Sequence, residues 1–173
     1  MSISFYTFKE NYKSISGSLT PFQAEGIKLI LEAWENYNSL TDIRQLAYIL
    51  ATVKHETANT YRPIEEYGKG AGRAYGATVN GHRYYGRGYV QLTWKENYEK
   101  MTKRLKLLGV ECDLVNNPEQ ALQPEISAAI MFVGMEEGLF TGKKLKDYFN
   151  EYDENPVEAR KIINGEDKAK MIA

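Results

Sequence analysis

The chain has 173 residues, 43% of them hydrophobic and 26% charged, which suits one domain over residues 1–173 with a core of its own. Lys+Arg and Asp+Glu number 22 and 23, for a net charge of −1; with no basic surplus for a phosphate backbone, nucleic acid is not an expected partner. Cys112 is the only cysteine, so no intrachain disulfide forms, and it reads as a small core or surface residue.

The segment from Met1 to Glu10 lacks a basic stretch followed by an apolar run and a small-residue cleavage site, so no export signal is expected there. The expected location is the cytoplasm, with nothing visible in that segment to export the chain. The longest apolar run, Ala128 to Met135, is too short to cross a bilayer, and no stable membrane insertion is expected.

Thr20-Pro21-Phe22-Gln23 opens the first clear helix, with Thr20 as N-cap, Pro21 at its first position and Gln23 three residues after the cap. Phe22, Leu29, Ile30, Ala33, Trp34 and Tyr37 give it an apolar stripe that ends at Asn38-Ser39. Thr41 reads as the cap of a second helix, striped by Ile43, Leu46, Ala47, Leu50, Ala51 and Val53, with His55 and Glu56 in its last turn.

From Tyr61 to Gly88 the helical period is lost. Pro63, seven glycines and several tyrosines replace it, and Asn80-Gly81 marks a tight hairpin. An irregular stretch of this length in a compact domain is usually functional. Thr93-Trp94-Lys95-Glu96 then reads as a capping box for a helix that Gly109 stops. Pro124 begins another helix that runs to Gly138, a short one is expected over 144–149, and Asn155 caps a last one ending near Asn164-Gly165. The fold class is therefore mainly α, with a Gly/Tyr-rich loop and a short β-hairpin inserted into a helical domain.

Chemistry concentrates between residues 53 and 98. Glu56 follows the apolar stripe of its helix, so apolar walls are expected around its carboxyl. Desolvation and the negative end of the helix both favour the protonated form, which suits a proton donor. Glu65 and Glu66 follow about one loop later, and one of them is expected to face Glu56 across a cleft, ionised and able to activate water. With only His55 and His82 and no HExxH motif, no metal or other cofactor is expected. His55 reads as a hydrogen-bonding orienter and His82 as a turn residue.

Tyr84 to Trp94 mixes flat rings with amide, guanidinium and hydroxyl groups, which suits the two faces of a sugar. Its tyrosines are expected at the surface, whereas Trp94 reads equally as core or surface. Gln91, Thr93 and Asn97 are expected to project into one groove.

HET at 55–57, a downstream glutamate, YYGRG at 84–88, QLTW at 91–94, NY at 97–98 and ING at 163–165 together resemble the glycoside hydrolase family 19 chitinases. They are more similar still to the shorter phage endolysins related to them. The resemblance spans roughly residues 20–170 and implies a lysozyme-like, largely helical fold that hydrolyses glycans with inversion. It implies Glu56 as general acid and Glu65 as second acid, with Glu66 as the fallback. His55, Glu66, Tyr85, Arg87, Gln91, Thr93, Asn97 and Asn164 are the implied substrate-binding or positioning residues.

Tyr89 stands where the chitinases have the proline of GRGP, and Glu166 where they have the second glycine of INGG. The connector after Glu56 is also short. These departures shift the expectation from chitin to peptidoglycan glycan strands, cut by a monomeric lysin that relies on a holin for release. A chitinase and a non-catalytic glycan-binding module are the alternatives.

Overall fold

The structure, a computed structural model, describes residues 3–37, 39–163 and 169–172. Among them the helices are α1 (Phe5–Ser16), α2 (Pro21–Asn36), α3 (Ile43–Glu56), α4 (Lys95–Leu107), α5 (Pro124–Glu137) and α6 (Ala169–Ile172). Four two-residue strands lie between α3 and α4: β1 (Ile64–Glu65), β2 (Thr78–Val79), β3 (His82–Arg83) and β4 (Arg87–Gly88). The mainly α class with an irregular insert is what the structure has.

α5 is the centre of the packing. It is buried nearly all round, from Ile126 to Met135, and packs against α2 and α4. A helix apolar on every face requires neighbours on every side. α2 presents Ile27, Ile30, Leu31 and Trp34 and α3 presents Leu46, Ile49, Leu50 and Val53, each set spaced for one helical face. Phe22, Leu29 and Ile43 are exposed, so the stripes lie rotated from the expected ones.

The capping box of Thr20 and Gln23 is present as read. Others differ. Asp42, not Thr41, caps α3, its carboxylate accepting from Arg44 N at 2.9 Å. α4 has no capping box at Thr93, because Trp94 takes the cap position with φ +70° and makes no side-chain cap bond. The expected segments at 144–149 and after Asn155 are 3₁₀ turns, Leu145–Asp147 and Glu158–Ile162, and Asn155 Oδ1 does accept from Glu158 N at 3.1 Å. α1, capped by Ser4, and α6 lie outside every expected element. Asn164 and Gly165 lie outside the described residues.

The insert holds two antiparallel pairs. Thr78 pairs with Arg83 and Val79 with His82 around Asn80-Gly81, both at positive φ (+50° and +82°), as a tight hairpin turn requires. Ile64 pairs with Gly88 and Glu65 with Arg87. This second pairing carries the loop acids to the Tyr84–Trp94 strip. Gly88 makes it fit, because a Cβ there would stand 2.7 Å from Ser127 Oγ on α5.

Candidate active site

Glu56 ends α3, and the chain is turned sharply after it. Thr57 Oγ1 donates to Val53 O at 2.7 Å and accepts from Tyr61 N at 3.0 Å, knitting the helix end to the departing chain. Gln23 at the start of α2 donates to Asn59 O at 2.8 Å and holds the turn from outside. Glu56 therefore stands on a rigid element at the edge of the helical body, its side chain 14% exposed.

Two hollows meet at this residue. One, of about 480 Å³, is lined by Glu56, Glu66, Gln91, Thr93, Trp94 and Asn97, with Tyr75, Phe140 and Ile163 closing its walls. The other, of about 280 Å³, is lined by Glu56, His55, Glu65, Glu66, Tyr67 and Gln91. Because Glu56, Glu66 and Gln91 border both, the pair forms one trough with Glu56 in its middle. Both loop glutamates border it, whereas only one was expected to turn inward.

The sequence reading placed apolar walls around Glu56. The structure corrects this, because the guanidinium of Arg160, 2% exposed, lies 2.7 Å from Glu56 Oε1. Arg160 comes from the 3₁₀ turn at Glu158–Ile162, and no motif in the sequence marks it.

Glu65 has different company. The Tyr85 hydroxyl donates to Oε1 at 2.5 Å and the Lys69 ammonium lies 2.9 Å from Oε2. These two contacts, Tyr85 first, hold the Glu65 carboxyl below the usual carboxylate range. Glu66 is fixed by hydrogen bonds from Tyr75 OH (2.7 Å) and Gly86 N (3.0 Å), which tie the loop to the strip.

Tyr85 and Arg87 were expected at the sugar surface, and here too the structure corrects the reading. Both are buried and line neither hollow. Arg87 stacks 3.7 Å from the centre of the Tyr85 ring and donates to Arg83 O and Tyr98 OH, so it supports the ring that holds Glu65. Tyr84 and Tyr89 are also core, while Trp94 is 46% exposed. The tyrosines of the strip are therefore core where surface was expected, and Trp94, which the sequence left open, is at the surface.

Trp94 and Gln91 owe their positions to left-handed backbone, with φ of +70° and +54°. Such conformations are rare for non-glycine residues and gather at functional sites. Gln91 Nε2 donates to Ile64 O and Gly88 O, both at 3.1 Å, clamping β1 to β4. Asn97 Nδ2 donates to Thr93 O at 2.9 Å. Tyr75 meets Trp94 edge-on at 5.5 Å, so the larger hollow has an aromatic wall suited to a sugar face. His55, Glu66, Gln91, Thr93 and Asn97 thus come together at the trough, Tyr85 and Arg87 lie beneath it, and Asn164 falls outside the described residues. The sequence reading missed Tyr75, Phe140, Ile163 and Arg160. A Gly-flanked tyrosine was the only signal for Tyr75.

No protein-family model matches the chain, and no curated protein sequence matches it. Among solved structures it is similar to chitinase C from Streptomyces griseus HUT6037, with 22% identity, a TM-score of 0.51 and coverage of 82% of this chain and 58% of that one. The chain thus spans little more than half of that enzyme. A glutamate-to-glutamine mutant of chitinase C matches with 22% identity, TM-score 0.51 and coverage of 82% and 69%. A bacterial family 19 chitinase matches with 24% identity, TM-score 0.46 and coverage of 73% and 66%. At this identity the likeness to the first two shows the fold alone: the chain has a chitinase-like, largely helical fold.

Proposed function

We propose that the protein is a glycoside hydrolase that cleaves the β-1,4 bond between N-acetylmuramic acid and N-acetylglucosamine in peptidoglycan, with inversion. The observation that carries this reading is the trough itself, where two carboxylates in unlike surroundings border one groove walled by amides and aromatic rings. Glu56 protonates the departing glycosidic oxygen, and Arg160 stabilises the negative charge that develops on Glu56 as its proton leaves. Glu65, ionised, takes a proton from a water that attacks the anomeric carbon from the opposite face. Thr93 and Asn97 hold the sugar or that water. The proton lost by Glu56 and the one gained by Glu65 are then re-exchanged with solvent.

Two carboxylates held over one trough are not needed for binding alone, which counts against a silent glycan-binding module. Chitin is the second reading, favoured by the chitinase fold of the neighbours. Both polymers present the same linkage, and the short connector after Glu56 is what supports peptidoglycan over chitin.

The test is reducing-end release from bacterial walls and from chitin oligomers, with mass spectrometry of the fragments to identify the sugar at the new end. Muramic acid at that end and a fresh product in the α configuration are expected. Glu56→Gln is expected to lower turnover by about 10²–10⁴ while remaining folded. Full activity in that variant ends the assignment, and a strong preference for chitin moves the substrate.

A further inference from the structure

We infer that Lys69 reads negative charge on the substrate: it pairs with Glu65 at the trough and turns to a carboxylate borne by a bound glycan strand. The inference rests on the glycan-cleaving reading above and gives it a selectivity device.

Two cations pair with the acids of the trough. Arg160 is buried behind Glu56, whereas Lys69 is 57% exposed at its side chain and lies 2.9 Å from Glu65 Oε2. No lysine or arginine lines either hollow among the described residues, and Lys69 stands just outside the smaller one, beside its lining residue Glu65. Of the two paired cations, an incoming anion therefore meets Lys69. Contact with Glu65 raises the affinity of the Lys69 amine for its proton, so it is charged at neutral pH.

The backbone at this position points to use of the side chain. Gly68, Lys69 and Gly70 have φ of +80°, +48° and +69°, three consecutive residues in the region that favours glycine. Lysine holds the middle place at a conformational cost that a glycine there would not incur. The loop is pinned there: Arg83 donates to Lys69 O at 2.6 Å and to Gly76 O at 2.7 Å. A Cβ on Gly70 would stand 2.8 Å from Gly76 Cα and 3.0 Å from Tyr85 Cβ, so the turn is packed directly on Tyr85, whose hydroxyl holds Glu65. The ammonium is thus delivered to one oxygen of Glu65 by a fixed loop.

The consequence is an exchange of partners. In this structure Glu65 Oε1 accepts from Tyr85 and Oε2 faces Lys69. A strand with carboxylate side groups, as on the peptide stems of peptidoglycan, offers Lys69 a second anion. When the ammonium turns to it, Oε2 is released to accept from the attacking water. Neutral chitin makes no such offer. An exposed ion pair is weak enough to be exchanged in this way.

The experiment compares soluble, uncrosslinked peptidoglycan strands with the same strands after amidation of their carboxyl groups. Affinities are measured by calorimetry in a Glu56→Gln background, so that no strand is cut. The background protein is expected to bind the charged strands about twofold more tightly than the amidated ones, because the exposed pair gained with the strand is partly offset by the Lys69–Glu65 pair it replaces. Adding Lys69→Gln is expected to bring that ratio close to one, and Lys69→Arg to keep it. A ratio of one with Lys69 in place, or one that survives Lys69→Gln, overturns the inference. Failure of the wild type to release reducing ends would sink the hydrolase reading separately, because the affinity ratio needs no turnover.

Discussion

Tyr85 shows how a residue can serve the site without reaching the substrate. Its hydroxyl stabilises the ionised form of Glu65, and its ring rests on the Arg87 guanidinium at 3.7 Å. Tyr85→Phe keeps the ring and deletes the donor, so the Glu65 carboxyl should rise toward the ordinary range. If Glu65 acts as the base, the acidic limb of the kcat/KM profile moves to higher pH; a limb that stays in place removes Glu65 from that role. Arg160 sets a second test at this scale. Arg160→Ala leaves Glu56 beside an emptied, buried space, and breaking a buried pair costs about 3–5 kcal/mol. Denaturant unfolding measures that loss, and a change near zero would mean that the pair contributes nothing to the fold. Arg160 was not legible in the sequence because the pair joins the end of α3 to a turn far down the chain. Glu56 was legible because one helix and its own motif place it.

At the scale of elements, the apolar periods revealed α2 and α3, since long helices repeat the signal several times, whereas α4 and α5 were read from their end signals, the Gly109 stop of one and the Pro124 start and Gly138 stop of the other. α1 went unread although Phe5, Phe8 and Tyr12 carry a helical spacing and Ser4 caps it; none of its residues is buried, and Tyr6 and Ile15 dilute the stripe. The caps at Thr41 and Thr93 were misread for a different reason. Serine and threonine signals compete with a neighbouring aspartate in one case, and in the other with the backbone reversal at Trp94, which tertiary contacts impose. Gly26 is a case where helix propensity and packing pull in opposite directions. Replacing a mid-helix glycine with alanine ordinarily stabilises by roughly 0.5–1 kcal/mol. Here the new Cβ would stand 2.1 Å from Tyr61 O, and backbone cannot yield as a flexible side chain can. Gly26→Ala is therefore expected to destabilise, by about 1–3 kcal/mol, and to lower activity by shifting the turn that follows Glu56. A rise in melting temperature would show that α2 and that turn can part freely.

For the whole molecule, acid should act first through carboxylates that the fold keeps ionised. Asp42 is held below the ordinary range chiefly by the Arg44 side chain, Glu65 by Tyr85, and Asp113 by Asn116. A carboxyl with a lowered folded value adds stability above its unfolded value and loses it as pH falls through the folded one. Melting temperature is thus expected to stay level from neutrality to about pH 5 and to fall below about pH 4. The Asp42 contribution matters most for architecture, because Arg44 also donates to Asn150 O at 2.9 Å and so joins the start of α3 to the segment that precedes Arg160. Asp42→Asn should flatten the acid slope in calorimetry at successive pH values; a slope identical to that of the wild type would place the acid sensitivity elsewhere. The same scan separates unfolding from catalysis. If activity disappears at a pH where the melting temperature is still level, titration at the trough is responsible. If the two fall together, the acid limb reports the fold and says nothing about Glu65.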